Sequence, residues 1–101
     1  MYLRRVEYQL RMYTVRPGEM TEWISEWRRQ VAPLRRKFGF EVLGPWVIEE
    51  QDTFVWILGR RGEGGWAAAD AAYYESEERR AIEPDPARHL AHVEQWMMRP
   101  V

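Results

Sequence analysis

Three polar side chains at alternate positions near the start of the chain offer the clearest chemistry in this sequence. Gln9, Arg11 and Tyr13 are two residues apart, so they lie on one face if the segment is a β-strand. A guanidinium binds the oxygens of a carboxylate or carbonyl through charge-assisted hydrogen bonds, and a phenol adds a further donor. Most buried polar groups satisfy one another, so these residue types favour a structural network of hydrogen bonds, and the alternative is a site for a small organic molecule.

Large aromatic side chains are a second source of candidates, because six of the 101 residues are tryptophan. Trp23 and Trp27 have helical spacing and are expected in the hydrophobic core. Trp46, Trp56 and Tyr74 are better candidates for the wall of a ligand cavity, where flat side chains provide apolar area. The predicted ligand-binding residues are therefore Gln9, Arg11, Tyr13, Trp46, Trp56 and Tyr74.

The histidines and the lack of cysteine argue against a metal site. His89 and His92 have no aspartate or cysteine at ligand spacing, and on a strand they would point in opposite directions. We expect both at the surface or in an interface. A chain without cysteine has no disulfide, thiolate ligand or cysteine nucleophile. We predict no metal and no cofactor, and no catalytic residue is assigned.

Charge and hydropathy argue against several classes of partner. Fifteen basic residues face sixteen acidic ones, so the net charge is −1 and a dedicated nucleic-acid-binding domain is not expected. Arg35, Arg36 and Lys37 are interpreted as a solvated helix end that complements the helix dipole. No apolar run approaches the roughly 20 residues that span a bilayer, and no secretory signal is visible. We therefore expect a cytoplasmic protein with no membrane partner.

The pattern of apolar and polar residues in the first part of the chain predicts a strand followed by a long helix. Apolar and polar residues alternate over residues 3–15, which is typical of a half-buried strand. Apolar residues then recur at spacings of three and four over residues 19–38, which indicates an amphipathic helix. Pro33 is expected to bend this helix, and Gly39 to end it.

The remaining pattern predicts a hairpin, a second helical region and a last strand. Residues 40–49 and 53–61 are apolar runs joined by a short polar turn, which favours an antiparallel hairpin. Gly44-Pro45 within the first run indicates a bulge or an edge strand. Ser76 is a predicted N-cap within the second helical region. The later elements are two helical segments and a strand, at residues 66–74, 76–82 and 92–99.

The order β-α-β-β-α-β predicts one ferredoxin-like α+β domain over residues 1–101, with two helices on one face of a four-stranded antiparallel sheet. The hairpin strands are apolar on both faces, so an apolar sheet face would stay uncovered in a monomer. We expect a homodimer in which two such faces meet to form a barrel. The strand face expected to pack on the helices carries Val6, Tyr8, Leu10 and Met12.

The opposite face of the first strand would then look into the barrel. Gln9, Arg11 and Tyr13 lie on that face, so we expect them around an enclosed cavity. A buried guanidinium needs a partner, because an unpaired buried charge destabilises the fold strongly. The expected partners of Arg11 are a bound anion or one of Glu7, Glu41 and Glu94.

Short motifs along the sequence resemble the NIPSNAP family in order and spacing. They are QLRMYTVRPG at 9–18, VAPL at 31–34, FGF at 38–40, GPW at 44–46, AYYES at 72–76, PDPAR at 84–88 and MMRP at 97–100. The motifs of the second half are similar to those of bacterial members. The resemblance implies a ferredoxin-like subunit in a dimeric α/β barrel. Gln9 departs from the glutamate frequent at this position, which weakens any role there that needs a carboxylate.

The resemblance implies no particular reaction, because the NIPSNAP family has no established one. We expect a NIPSNAP-like homodimeric barrel protein that binds a small organic molecule in its cavity. One alternative is a cofactor-independent monooxygenase or isomerase of the dimeric α/β barrel type, in which Arg11 stabilises developing negative charge and Tyr13 or a histidine moves a proton. The other is a structural or interaction module with a filled barrel.

Overall fold

The structure, a computed structural model, describes residues 6–101, so residues 3–5 of the first predicted strand lie outside the described residues. The strands are β1 Val6–Val15, β2 Glu41–Ile48, β3 Thr53–Arg61 and β4 Leu90–Met98. They form one antiparallel sheet in the order β2-β3-β1-β4, which is the ferredoxin-like topology that the sequence predicts. Within residues 6–101, no helix has the length and apolar character needed to cross a membrane.

The long predicted helix runs as three consecutive segments: α1 Met20–Glu26, a π-helical turn Trp27–Val31 and α2 Ala32–Lys37. The N–H of Ala32 donates to the carbonyl of Trp27, five residues earlier. The predicted disturbance at Pro33 therefore takes the form of a wider turn directly before it. Gly39 ends the helix with a φ of +90°, a conformation that glycine adopts without strain.

The bulge predicted in the second strand is confirmed. Gly44 and Pro45 together lie opposite a single residue of β3, Trp56. Because of this extra residue, Leu43 and Trp46 lie on the same face of the sheet although they are three positions apart. β2 is also an edge strand, where the missing N–H of Pro45 is tolerated.

The second helical region is shorter than predicted at its end. It consists of α3 Trp66–Glu75 and α4 Glu77–Arg80, which ends two residues before the predicted end at residue 82. A separate 3₁₀ turn, Pro86–His89, precedes β4. Ser76 caps α4 as expected, since its Oγ accepts the N–H of Arg79 at 3.1 Å. β4 begins at Leu90, two residues earlier than the sequence indicates.

The prediction of which face of β1 packs on the helices is wrong. Gln9, Arg11 and Tyr13 are buried on the helix side, while Leu10 and Met12 are half-buried on the open face. Alternation shows that a strand has two faces, but it does not show which face a helix covers. Asp70 and Tyr74 on α3 accept hydrogen bonds from Arg11 on β1, so the polar face of β1 can be buried against the helices. The three polar residues therefore lie inside one subunit rather than between two.

The core between sheet and helices is largely aromatic. Phe54 and Trp56 of β3 pack edge-on against Trp27, with ring centroids 5.3 and 5.4 Å apart. Tyr13 packs against Trp23 in the same way at 5.8 Å. Trp23 and Trp27 are thus core residues, as predicted. Trp23 packs α1 onto β1, and Trp27 packs the start of the π-helical turn onto β3.

Candidate ligand-binding site

Arg11 is the centre of a buried network between β1 and α3. Its Nε donates to Oε1 of Gln9 at 2.7 Å, and its Nη1 lies 3.0 Å from the hydroxyl oxygens of both Tyr13 and Tyr74. Its Nη2 lies 3.3 Å from Oδ1 of Asp70. The side chain is almost completely buried. Every nitrogen of this guanidinium therefore has a protein acceptor.

Arg35, on α2, is a second fully buried arginine, and it contacts the same aspartate as Arg11. Its Nη1 donates to the same Oδ1 of Asp70 at 2.7 Å, and its guanidinium lies 3.8 Å from the ring centre of Tyr73. Its Nε and Nη2 have no hydrogen-bond partner among the described residues. Asp70 thus serves two guanidinium groups, so Arg11 and Arg35 leave one buried positive charge without a carboxylate.

The pKa values of Arg11, Tyr13 and Tyr73 are all raised in this site. Burial disfavours the charged form of Arg11, but the oxygens of Tyr13 and Tyr74 outweigh it and raise the pKa of this arginine. Burial also raises the pKa of Tyr13, against the opposing effect of Arg11. Burial likewise raises the pKa of Tyr73. These directions favour a charged guanidinium at Arg11 and neutral hydroxyl groups at Tyr13 and Tyr73.

A cavity of about 130 Å³ lies between the sheet and the helices beside these residues. A space of this size holds a few water molecules or one small ring. Its wall combines arginines and hydroxyls with indole rings: Arg11, Tyr13, Trp23, Val31, Arg35, Trp56, Tyr74, Arg79, Pro86, Ala87, Leu90, Val93 and Gln95. Donors dominate its polar groups, which suits a ligand that carries acceptor oxygens.

The structure brings five of the six predicted site residues together. Four of them line the cavity, namely Arg11, Tyr13, Trp56 and Tyr74. Gln9 is outside the cavity wall and accepts a hydrogen bond from Nε of Arg11. Trp46 is on the other face of the sheet, paired with Val55 and 53% exposed, so it takes no part in this site.

Two important residues of the site were missed from the sequence. The partner of Arg11 is Asp70, and the expected partners Glu7, Glu41 and Glu94 were wrong. Arg35 is fully buried, so its interpretation as part of a solvated helix end was also wrong. It follows Val31 by four residues, and this spacing places it on the buried stripe of the helix.

The expectation for the histidines was wrong for one of them. His89 is buried, with Nδ1 2.7 Å from Glu19 and Nε2 2.9 Å from Glu26. Arg88 binds both oxygens of Glu26 at 2.8 Å, so this carboxylate is already neutralised by a guanidinium. His92 is exposed, as expected, and pairs with Glu94 at 3.3 Å.

The charges of this second cluster stabilise one another. Hydrogen bonds from Arg88 lower the pKa of Glu26 against the effect of burial. Burial works against the charged ring of His89, but hydrogen bonds to Glu26 and Glu19 outweigh it and raise the pKa of the imidazole. Carboxylates only accept hydrogen bonds, so both ring nitrogens carry a proton in this geometry.

The strand order, with all helices on one side of the sheet, defines the chain as a ferredoxin-like α+β protein. The family model NIPSNAP matches residues 8–54, and this match confirms the resemblance to the NIPSNAP family that the sequence motifs indicate. None of the curated proteins matches the chain.

Solved structures support the same conclusion about the fold. A NIPSNAP family protein from Agrobacterium tumefaciens is similar with a TM-score of 0.84 and 16% identity, over 100% of this chain and 90% of that one. An uncharacterised NIPSNAP domain protein from Burkholderia xenovorans has a TM-score of 0.76 and 15% identity, over 94% of each chain. A putative antibiotic biosynthesis monooxygenase from Nitrosomonas europaea has a TM-score of 0.71 and 11% identity, over 100% of this chain and 95% of that one.

Proposed function

We propose that this protein is a homodimer in which each subunit binds a small organic molecule in the cavity between sheet and helices. The observation that supports ligand binding is the pair of buried guanidinium groups, Arg11 and Arg35, that share one carboxylate at the cavity wall. A purely structural network gains nothing from a second buried charge without a counter-ion, because such a charge destabilises the fold. A ligand with acceptor oxygens would supply the missing partners.

A thermal-shift screen with carboxylic and phenolic compounds tests ligand binding. Hits on the natural protein should disappear in Arg11→Ala, and also in Ala87→Phe, which fills the cavity wall. Ala67→Phe, on the exposed side of α3, is the matched control and should retain them. If no compound shifts the melting temperature while the variants stay folded, a structural or interaction module is the better description.

The homodimer is supported by the open face of the sheet. That face carries exposed or half-buried large side chains, namely Tyr8, Leu10, Met12, Leu43, Trp46, Ile48, Val55, Ile57, Trp96 and Met98. Four strands about 4.8 Å apart and about 3.3 Å per residue give a face of roughly 600 Å². Two copies would bury roughly 1,200 Å², which reaches the range of specific interfaces. An apolar patch this large is rare on a monomer, and a second copy offers a matching surface.

Sedimentation velocity tests the dimer. The natural protein should sediment as a dimer at micromolar concentration. Leu10→Glu, which places a charge between Ile57 and Trp96 on the open face, should give monomers that keep the native circular dichroism. Ala72→Glu, exposed on α3, should remain dimeric. A natural protein that sediments as a monomer at this concentration contradicts the proposal.

A second candidate function is a cofactor-independent monooxygenase or isomerase. Its support is the structural likeness to the protein described as a putative antibiotic biosynthesis monooxygenase, together with a buried arginine between two hydroxyls. Arg11 would stabilise an enolate or phenolate, and the neutral Tyr13 hydroxyl would donate the proton. Oxygen uptake with phenolic compounds tests the first activity, and loss of carbon-bound deuterium tests the second. Tyr13→Phe should abolish either activity.

Other expectations from the sequence stay predictions. They are a cytoplasmic location, a bacterial source, and the lack of nucleic-acid and membrane partners. The nearly balanced charge supports the expectation that the protein does not bind nucleic acid.

A further inference from the structure

One edge of the Arg35 guanidinium has no protein partner. Its Nη1 is bound to Asp70, and its central carbon Cζ lies over the ring of Tyr73, 3.8 Å from the ring centre, and 4.9 Å from the ring centre of Phe40. Aromatic contacts satisfy the faces of a guanidinium, but they leave the N–H groups at its edge unbonded. Nε and Nη2, the two nitrogens without partners among the described residues, lie along the same edge. That edge has the geometry that takes both oxygens of a carboxylate side-on.

We infer that the cavity takes a small monocarboxylate whose two oxygens accept hydrogen bonds from Nε and Nη2 of Arg35. The inference rests on the ligand binding proposed above and adds the class of ligand. One negative charge balances the positive charge that Arg11 and Arg35 leave beyond Asp70. A neutral ligand leaves that charge uncompensated, and a dianion replaces it with an excess of negative charge.

The rest of the cavity indicates the body of this ligand. Trp23 and Trp56 provide flat apolar walls, and the volume of about 130 Å³ is that of a single small ring. A neighbouring surface depression of about 400 Å³ shares Tyr74, Arg79 and Ala87 with the cavity. A substituent on the ring can therefore extend outward past Arg79. Benzoate has the charge, size and planarity of the predicted head group.

Titration of the natural protein with benzoate and with benzamide tests the class of ligand. The two molecules have nearly the same shape, but only benzoate carries a charge. Benzoate should bind at least about tenfold more tightly, and it should shift the Nε–H resonance of Arg35 in ¹⁵N NMR spectra. This comparison needs no variant, so it decides the matter even if a substituted protein fails to fold. Equal affinities would show that the cavity binds ligands but does not select carboxylates.

Arg35→Met and Arg36→Met form a matched pair of variants. Arg35 is buried at the cavity, and its neighbour Arg36 is exposed outside it. Arg35→Met should remove the preference for benzoate over benzamide, whereas Arg36→Met should keep it. Preference retained in Arg35→Met would overturn the assignment of the carboxylate to this side chain. If neither compound binds the natural protein, the proposed ligand binding itself fails.

Discussion

Two clusters of buried charged side chains differ in how completely they are paired. In the cluster around His89, the ring nitrogens face Glu19 and Glu26, and Arg88 binds both oxygens of Glu26. In the cluster around Asp70, two arginines compete for one carboxylate oxygen, and one of them keeps two nitrogens without partners among the described residues. The first cluster is electrostatically complete, and the second is not.

This difference separates a structural role from a binding role. A complete cluster stabilises the fold by itself, because each charge is satisfied by protein groups. An incomplete cluster beside a cavity destabilises the fold, because one of its charges has no partner in the protein. Such a cluster indicates a binding role, in which a ligand supplies the missing partner. Substitutions should therefore reduce mainly the free energy of unfolding in the His89 cluster, and mainly ligand affinity in the Asp70 cluster.

The largest effect is expected for Glu26→Gln. This change removes the charge that both Arg88 and His89 need, so it should lower the free energy of unfolding by about 3 kcal/mol. Glu22→Gln is the matched control on the same helix, since Glu22 is largely exposed and 3.6 Å from Arg88. It should cost less than about 1 kcal/mol. Urea denaturation measures both, and equal losses would contradict the distinction between the clusters.

The His89 cluster should also make stability depend on pH. The pKa of His89 is raised in the folded protein, so the folded state binds a proton more tightly than the unfolded state. The contribution of the imidazolium is complete below the unfolded pKa of about 6.5 and is lost as pH rises through the folded pKa. Denaturation midpoints should therefore fall with rising pH in this window. His89→Gln should remove this dependence, and His92→Gln, which changes an exposed ring, should leave it in place.

The sequence predicted the elements better than it predicted the site, for a physical reason. β3 has the predicted bounds, 53–61, because a polar turn and a glycine-rich loop flank a strand that is continuously apolar over residues 54–58. The face of β1 was assigned wrongly because both faces of this strand carry side chains that can be buried. Asp70 was missed because an aspartate within an alanine-rich helix carries no pattern of its own, and only the fold brings it to Arg11.

Arg35→Met, in the Asp70 cluster, should change the free energy of unfolding far less than Glu26→Gln does. Removing one of two competing guanidinium groups leaves Asp70 paired with Arg11, so no buried charge is orphaned. Methionine keeps much of the side-chain volume, and the free energy of unfolding should change by less than about 1 kcal/mol. Urea denaturation at constant pH measures it. A loss as large as that of Glu26→Gln would show that Arg35 is a structural ion-pair partner and would remove the contrast between the clusters.

The smallest effect is expected for Tyr74→Phe. The Tyr74 hydroxyl accepts from Nη1 of Arg11 at 3.0 Å, but Tyr13 accepts from the same nitrogen at the same distance, and Tyr74 is 44% exposed. Its removal should cost only about 0.5 kcal/mol of stability, since water can replace one acceptor. Tyr13→Phe, at the buried hydroxyl, is the comparison and should cost about 1.5 kcal/mol. If Tyr74→Phe and Tyr13→Phe lower the free energy of unfolding equally, the exposed hydroxyl of Tyr74 holds Arg11 as firmly as the buried hydroxyl of Tyr13 does. The position of Arg11 would then be set by the protein alone, with no adjustment left for a ligand.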